Sequence, residues 1–243
     1  MNKKNIILLA IIFFYVKIKI MENTTSLFDI IGPVIIGPSS SHTAGACRIG
    51  MIARKIYGET NLKKVKFVLY NSFAKTGKGH GTDKGLLGGV LGLKLSDKNI
   101  KYAFKIAMEQ SIKVEIECRD DFNRHPNSVD VIFDDNKMKI SANSTGGGEI
   151  EVVKINENSC RLKGDYPTLI LNYKDKPGMV SLVTNLICKK NINIANMTCS
   201  RSSKGQIAHM SISLDNNLDT SDIKTLERMD EIYFIRYIEA LEK

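Results

Sequence analysis

Thr168–Gly178 reads TLILNYKDKPG, in which six residues rich in strand formers run into a turn at Asp175-Lys176-Pro177-Gly178. Helical spacing follows over Met179–Lys189, then a strand pattern over Ile192–Ser200, a hairpin signal at Ser203-Lys204-Gly205 and a strand over Gln206–Leu214. A helix over Ser221–Met229 and a strand over Ile232–Tyr237 complete the order βαββαβ. That order predicts a ferredoxin-like unit over residues 161–243, with two helices on one face of an antiparallel sheet. Many functions use this architecture, so the order assigns none by itself.

Upstream, Asn156-Glu157-Asn158 and Lys163-Gly164-Asp165 enclose a weakly apolar stretch that reads as a linker. Residues 21–160 then form a first domain of mixed α/β character, so the whole chain is expected to be α+β. Its pattern is a helix over Ala44–Tyr57 stopped by Gly58, a strand over Val65–Tyr70, and a glycine-rich loop Gly77–Asp83 opening a helical segment at Leu86–Leu93. A helix over Ile100–Gln110 leads to Ile112–Cys118, where apolar and charged residues alternate as in a half-buried strand. Val129–Phe133 and Lys137–Ser141 flank the hairpin turn Asp134-Asp135-Asn136. Ser144-Thr145-Gly146-Gly147-Gly148 separates them from a strand over Ile150–Ile155.

Chemistry concentrates at Gly37-Pro38-Ser39-Ser40-Ser41-His42-Thr43, immediately before the first helix. Helix N-termini leave backbone N–H groups unpaired and carry the positive end of the dipole, so an anion is favoured there. One hydroxyl would suffice to cap the helix. Four hydroxyls and an imidazole go beyond capping: Ser39, Ser40, Ser41 and Thr43 can orient a carboxylate, and His42 can move a proton near neutral pH. Gly77–Asp83 offers Lys78 and His80 between glycines, with Thr82 or Asp83 as a cap for the next helix. It is not a phosphate loop of the G-x-x-x-x-G-K-[ST] type, because Gly79 follows Lys78. His42, His80 and His125 all fall in predicted loops and form a candidate convergent site, whereas His209 lies within a strand pattern and reads as structural.

The formal charge of +9 includes Lys3, Lys4, Lys17 and Lys19, and is +5 without that segment. The other lysines are dispersed with no aromatic-interleaved basic strip, which argues against nucleic-acid binding. Ile6–Val16 is apolar but shorter than the ~20 residues of a membrane span, and no small-x-small cleavage site follows it. Residues 1–20 are therefore expected to be a dispensable tail or an over-extended reading frame, with Met21 as the start, and no membrane partner is expected. Cys47, Cys118, Cys160, Cys188 and Cys199 are odd in number and contain no C-x-x-C pair. That favours a reducing, cytoplasmic compartment over a disulfide framework or a zinc site.

Four spaced motifs occur in order: SLFDIIGPVIIGPSSSHTAGA (Ser26–Ala46), KTGKGHGTDKGLLGG (Lys75–Gly89), NRHPNS (Asn123–Ser128) and STGGG (Ser144–Gly148). Together they resemble the beta chain of bacterial iron-sulfur-dependent L-serine dehydratase, also called L-serine ammonia-lyase. The C-terminal unit resembles the ACT domain found there, with Asp175, Pro177 and Gly178 at the position of a regulatory loop. The first domain is also similar to the allosteric substrate-binding domain of some phosphoglycerate dehydrogenases.

The resemblance implies an alpha-beta heterodimer in which the alpha chain holds a [4Fe-4S] cluster with one open iron, so no metal ligand is expected in this chain. That iron would ease departure of the serine hydroxyl as a base removes the Cα proton, yielding aminoacrylate and then pyruvate and ammonia. His42 and His80 become the catalytic candidates. Ser39, Ser40, Ser41, Thr43, Lys78, Thr82, Asn127, Gly146 and Gly147 become the candidates that hold L-serine. The alternative is a non-catalytic regulatory subunit that senses an amino-acid effector through its ACT domain.

Overall fold

The computed structural model describes residues 37–201 and 203–241; the leader expected over 1–20, the start at Met21 and the part of the first motif over residues 26–36 lie outside them. A π-helical turn, Ser40–Gly45, runs directly into α1 (Ala46–Tyr57). The order continues β1 (Lys64–Tyr70), α2 (Asn71–His80), α3 (Thr82–Val90), a 3-10 turn (Lys98–Tyr102), α4 (Ala103–Glu109), β2 (Lys113–Arg119), β3 (Ser128–Phe133), β4 (Met138–Gly146), β5 (Glu149–Ile155) and β6 (Asn158–Leu162). The C-terminal part adds β7 (Thr168–Lys174), α5 (Met179–Lys189), β8 (Ile194–Arg201), β9 (Ile207–Leu214), α6 (Thr220–Glu227) and β10 (Ile232–Ile238).

The first sheet has the order β2-β1-β3-β4-β5-β6. Only the β1–β2 pair in it is parallel, which the intervening helices α2, α3 and α4 make possible as a crossover. Val65, Phe67 and Leu69 of β1 alternate onto the face covered by Ile49, Ile52, Ala53 and Ile56 of α1, and all are buried in one core. The second sheet has the order β10-β7-β9-β8, entirely antiparallel, as the βαββαβ pattern predicts. Leu169, Leu171, Met210 and Ile212 pack there with Met179, Val183 and Ile187 of α5 and Leu226 of α6. The opposite face of this sheet is not free: Ile170 and Ile238 belong to the core of the first sheet. Residues 37–201 and 203–241 accordingly pack within one compact unit.

Three sequence expectations are corrected. Gly77–Asp83 is not a loop: α2 runs through Gly77, Lys78 and Gly79 to His80, and only Gly81 (φ +71) breaks it before α3. Glycine is a poor helix former, yet Gly77 is buried, with the Thr82 side chain 3.1 Å from the position a Cβ would take. The start of α2 is fixed from outside: Asn71 (φ 51) accepts from the Asp121 N–H at 2.9 Å and donates to the Asp121 carbonyl at 2.8 Å. The stretch read as a linker contains β6, whose Cys160 and Leu162 are buried on the edge of the first sheet. The helical segment expected from Ala44 begins earlier, because a π turn over Ser40–Gly45, capped by Ser39, runs into α1.

Beneath the Asn123–Ser128 motif lies a charged network. Asp130, buried in β3, accepts from Arg124 Nη1 at 2.7 Å, Tyr70 Oη at 3.0 Å and Ser141 Oγ at 2.6 Å. Arg124 thus braces the loop against the sheet. Bonds to a charged acceptor contribute about 2 kcal/mol, so Asp130→Asn is expected to lower unfolding stability by about that much. Denaturant titration that finds no change would show the network to be solvated.

Candidate active site

Ser39 adopts an extended conformation (φ −145°, ψ 129°), and its Oγ accepts from the His42 N–H at 3.1 Å. Its carbonyl accepts from Thr43 N–H at 2.9 Å and Ala44 N–H at 3.3 Å, which closes the π turn. The N–H groups of Ser40 and Ser41, at the positive end of the turn that runs into α1, have no partner among the described residues. Short π turns of this kind recur at functional positions.

Packing of α1 on α3 sets the turn's surroundings. A Cβ on Gly50 would lie 2.1 Å from the Leu86 carbonyl oxygen, one on Gly85 2.7 Å from that of Thr43, and one on Gly89 2.0 Å from that of Cys47. The three glycines therefore let the helix backbones touch, and α3 begins directly against the Ser39–Thr43 turn. Thr82 at that start is fully buried, and its Oγ1 meets His42 Nδ1 at 3.2 Å. Ser72 Oγ of α2 approaches His42 Nε2 at 3.4 Å. Phe73 meets the ring edge-on at 5.1 Å, and the His80 ring lies 5.2 Å away. His80 donates from Nδ1 to the Thr76 carbonyl at 3.0 Å, which fixes its tautomer and leaves Nε2 as an acceptor. Two imidazoles thus converge on one helix start.

The other predicted residues divide. Thr43 donates to the His80 carbonyl at 2.7 Å and is buried, so its hydroxyl joins the turn to α2. Thr82 acts on His42 in the same positioning sense. Lys78 is exposed and stands two residues before His80 on α2. That separation places it about 200° round the helix, on another face from His80. Ser144, which spacing did not single out, donates from a fully buried Oγ to the Ser41 carbonyl at 2.9 Å. A Cβ at Gly45 would collide with that hydroxyl at 2.1 Å. Asn127 lies behind it: its carbonyl accepts from Ser144 N–H at 2.9 Å, and its Oδ1 is buried without a partner among the described residues. Gly146 (φ +114) and Gly147 (φ +60) form the turn beyond Ser144, and Arg48 of α1 reaches the adjacent Glu149 at 3.6 Å. His125 does not join the imidazole pair; its Nδ1 accepts from the Asn127 N–H at 3.1 Å. Ser72 was missed because the sequence reading assigned no element between the strand ending at Tyr70 and the loop starting at Gly77.

In the C-terminal unit, Asp175 accepts from Arg201 Nη1 and from the Gly205 N–H, each at 2.8 Å. The backbone N–H of Gly205 leads in holding this carboxyl below its usual range, with Arg201 assisting against some desolvation. Asp175 therefore staples its loop to the β8–β9 hairpin. Gly178 (φ +92) sits at the N-cap of α5, directly after Pro177.

Burial first, and the neighbouring His80 second, hold the His42 pKa below 6.5, while burial does the same for His209. Both are neutral near pH 7. Below 6.5 the unfolded chain takes up protons on these two groups before the folded chain does, so they contribute stability that declines as pH falls through 6.5 and levels off below the folded values. The thermal midpoint is therefore expected to be higher at about pH 7.5 than at about pH 5.5, with a smaller difference in His209→Gln. An unchanged difference in that variant would show that His209 carries none of it.

All five cysteines are free. Desolvation pushes the Cys47 and Cys160 thiols up to about 12, with Glu151 adding to the effect at Cys160, so neither is a ready thiolate. Among the described residues no three His, Cys, Asp or Glu side chains gather as a metal-binding set, and these residues do not fit an iron-sulfur cluster. No described helix is long and apolar enough to cross a membrane.

Fold and site define an α+β protein in which a capped helix start with paired imidazoles is backed by a ferredoxin-like module. The model of the serine dehydratase beta chain family matches residues 26–154, and that of the AHAS small subunit-like ACT domain matches residues 169–233. The chain belongs to the serine dehydratase beta chain family. It is 40% identical over 209 residues to the "Probable L-serine dehydratase, beta chain" of Bacillus subtilis, covering 85% of this chain and 94% of that one. It is 34% identical over 219 residues to the L-serine dehydratase beta chain of Peptoniphilus asaccharolyticus, covering 88% and 98%. A D-3-phosphoglycerate dehydrogenase of Archaeoglobus fulgidus is 27% identical over 198 residues, which span 79% of this chain and 37% of that enzyme.

Proposed function

We propose that the chain is the beta subunit of an L-serine dehydratase and works with an alpha chain to convert L-serine to pyruvate and ammonia in the cytoplasm. The observation that carries this reading is the His42–His80 pair, 5.2 Å apart, beside the N–H groups of Ser40 and Ser41, which have no partner among the described residues. The substrate carboxylate binds those N–H groups, with the Ser40 and Ser41 hydroxyls beside it. Neutral His42, braced by Thr82 and Ser72, orients the substrate or accepts a proton, and His80 Nε2 shares that task. We assign the [4Fe-4S] cluster to the alpha chain, and no step on this chain's residues is routed through it.

Thr82→Val tests the positioning of His42. In the complex, kcat for pyruvate formation is expected to fall by about tenfold with KM little changed, and the acid limb of the pH profile should move, because Nδ1 loses its partner. The likeness to part of a phosphoglycerate dehydrogenase, together with the ACT-like domain, favours one other reading, a subunit that only senses an amino acid. Under that reading Thr82→Val leaves kcat intact and shifts effector dependence alone.

A further inference from the structure

α1 is held from the C-terminal part of the chain at three successive turns. Near its start, Arg48 donates from Nη2 to Asp165 Oδ1 at 2.9 Å, in the connection between β6 and β7. One turn on, Ile52 packs against the neighbouring Gly164 (φ +81), where a Cβ would lie 3.2 Å from Ile52 Cδ1 and 3.0 Å from Leu241 Cδ1. At its end, Arg236 of β10 donates from Nε to the Ile56 carbonyl and from Nη2 to the Tyr57 carbonyl, both at 3.1 Å. The same helix opens at the Ser39–Thr43 turn, so whatever fixes α1 also fixes the turn.

Arg48 differs from the other two contacts because it is a buried cation, 2% exposed. Among the described residues its Nε has no partner, and Nη1 reaches the half-exposed Glu149 only at 3.6 Å. Burying a guanidinium on one good hydrogen bond is a poor route to stability, since an apolar side chain of similar volume would serve as well or better. What the guanidinium gains is placement. Gly45, three residues earlier on the same face of α1, makes the close approach to Ser144 Oγ. Glu149 pairs with Gly146 across the β4–β5 hairpin, beside the Ser144–Ile150 pair. Arg48 therefore ties together α1, the hairpin that carries Ser144, and the Asp165 connection. Ser144 in turn donates to the Ser41 carbonyl at 2.9 Å, inside the turn.

We propose that Arg48 is a positioning residue: anchored by Asp165, it holds the start of α1 and the Ser144 hairpin in the register that presents the Ser40 and Ser41 N–H groups to the substrate carboxylate. It acts through Ser144 and the helix rather than on the substrate, and the role rests on the reaction proposed above. Asp165 lies between the two stretches that the family models match, residues 26–154 and 169–233, so neither stretch alone contains the joint.

The test compares the wild-type chain with the double variant Arg48→Met/Asp165→Asn, which removes both charges together and leaves neither partner charged without the other. In hydrogen exchange on the full chain, uptake over Ser39–Cys47 is expected to speed up by about tenfold. Leu169, Leu171, Met210 and Ile212, in the core of the second sheet, should keep wild-type protection. In the complex with the alpha chain, KM for L-serine should rise by about tenfold with kcat little changed, because carboxylate binding is what the turn supplies. Arg48→Lys, which keeps a cation beside Asp165 but lacks the planar fork, should recover part of both effects. Wild-type uptake over Ser39–Cys47 overturns the proposal. So does equal acceleration in the second sheet, which would make the pair a general support, and so does an unchanged KM in a complex that turns over. Exchange needs no turnover, so a wild-type complex that makes no pyruvate would count against the proposed reaction, while the exchange result still decides whether Arg48 positions the turn.

Discussion

His42→Ala is expected to lower kcat for pyruvate formation by about 100- to 10,000-fold, the range in which a positioned acid–base group operates. The imidazole is held at both nitrogens, by Thr82 Oγ1 at 3.2 Å and Ser72 Oγ at 3.4 Å, and Phe73 closes its edge. Burial, with His80 adding to it, keeps the ring neutral at neutral pH, the state from which it can take a proton. His42 is half-buried rather than part of the hydrophobic core, so truncation should leave the fold, the complex and the absorbance of its cluster in place. His80→Ala is expected to act in the same direction, since its Nε2 has no partner among the described residues while Nδ1 is tied to Thr76. Measured in the complex, wild-type kcat in both variants with only an altered effector response would decide for the regulatory reading.

Gly89→Ala is expected to cost about 3 kcal/mol or more of stability, the upper end of overpacking penalties. The added methyl would meet backbone, 2.0 Å from the Cys47 carbonyl oxygen and 2.7 Å from the Met51 nitrogen, and backbone cannot swing aside as a flexible side chain can. Relief requires α1 and α3 to separate, which also pulls Thr82 away from His42. The variant should therefore unfold at lower denaturant and, where folded, lose activity with Gly89 far down α3 from the imidazoles. Gly92→Ala is the matched control, since nothing lies within 4 Å of a Cβ there, although its φ of +80° adds a smaller strain. Equal losses in the two variants would refute close helix packing as the cause.

How far the sequence could be read depended on which signals were local. The βαββαβ order was legible because strand alternation, the Asp175–Gly178 turn and the helical spacings are each contained within a few residues. The Gly37–Thr43 motif was legible as a capped helix start for the same reason. α2 was not: its helicity depends on Asn71 being held by Asp121 and on Gly77 packing against Thr82, contacts with no trace in the spacing. Once three glycines suggest a loop, Lys78 is placed on one loop with His80, though the helix turns them apart. Ser144 shows the same limit, since its role is a bond to a carbonyl more than a hundred residues away. β6 was hidden because an edge strand of five residues with two buried apolar side chains looks like a linker. Gly50, Gly85 and Gly89 carried the largest unread message, because a glycine needed for helix contact looks in sequence like any other.

The measurement that bears most directly on the central claim is pyruvate and ammonia formation from L-serine by this chain co-purified anaerobically with an alpha chain that holds the cluster. The expected result is turnover by the pair, none by this chain alone, and loss of turnover in the pair carrying His42→Ala with cluster absorbance retained. A stable, cluster-bearing pair whose kcat is untouched by His42→Ala and His80→Ala would contradict a catalytic role for this subunit.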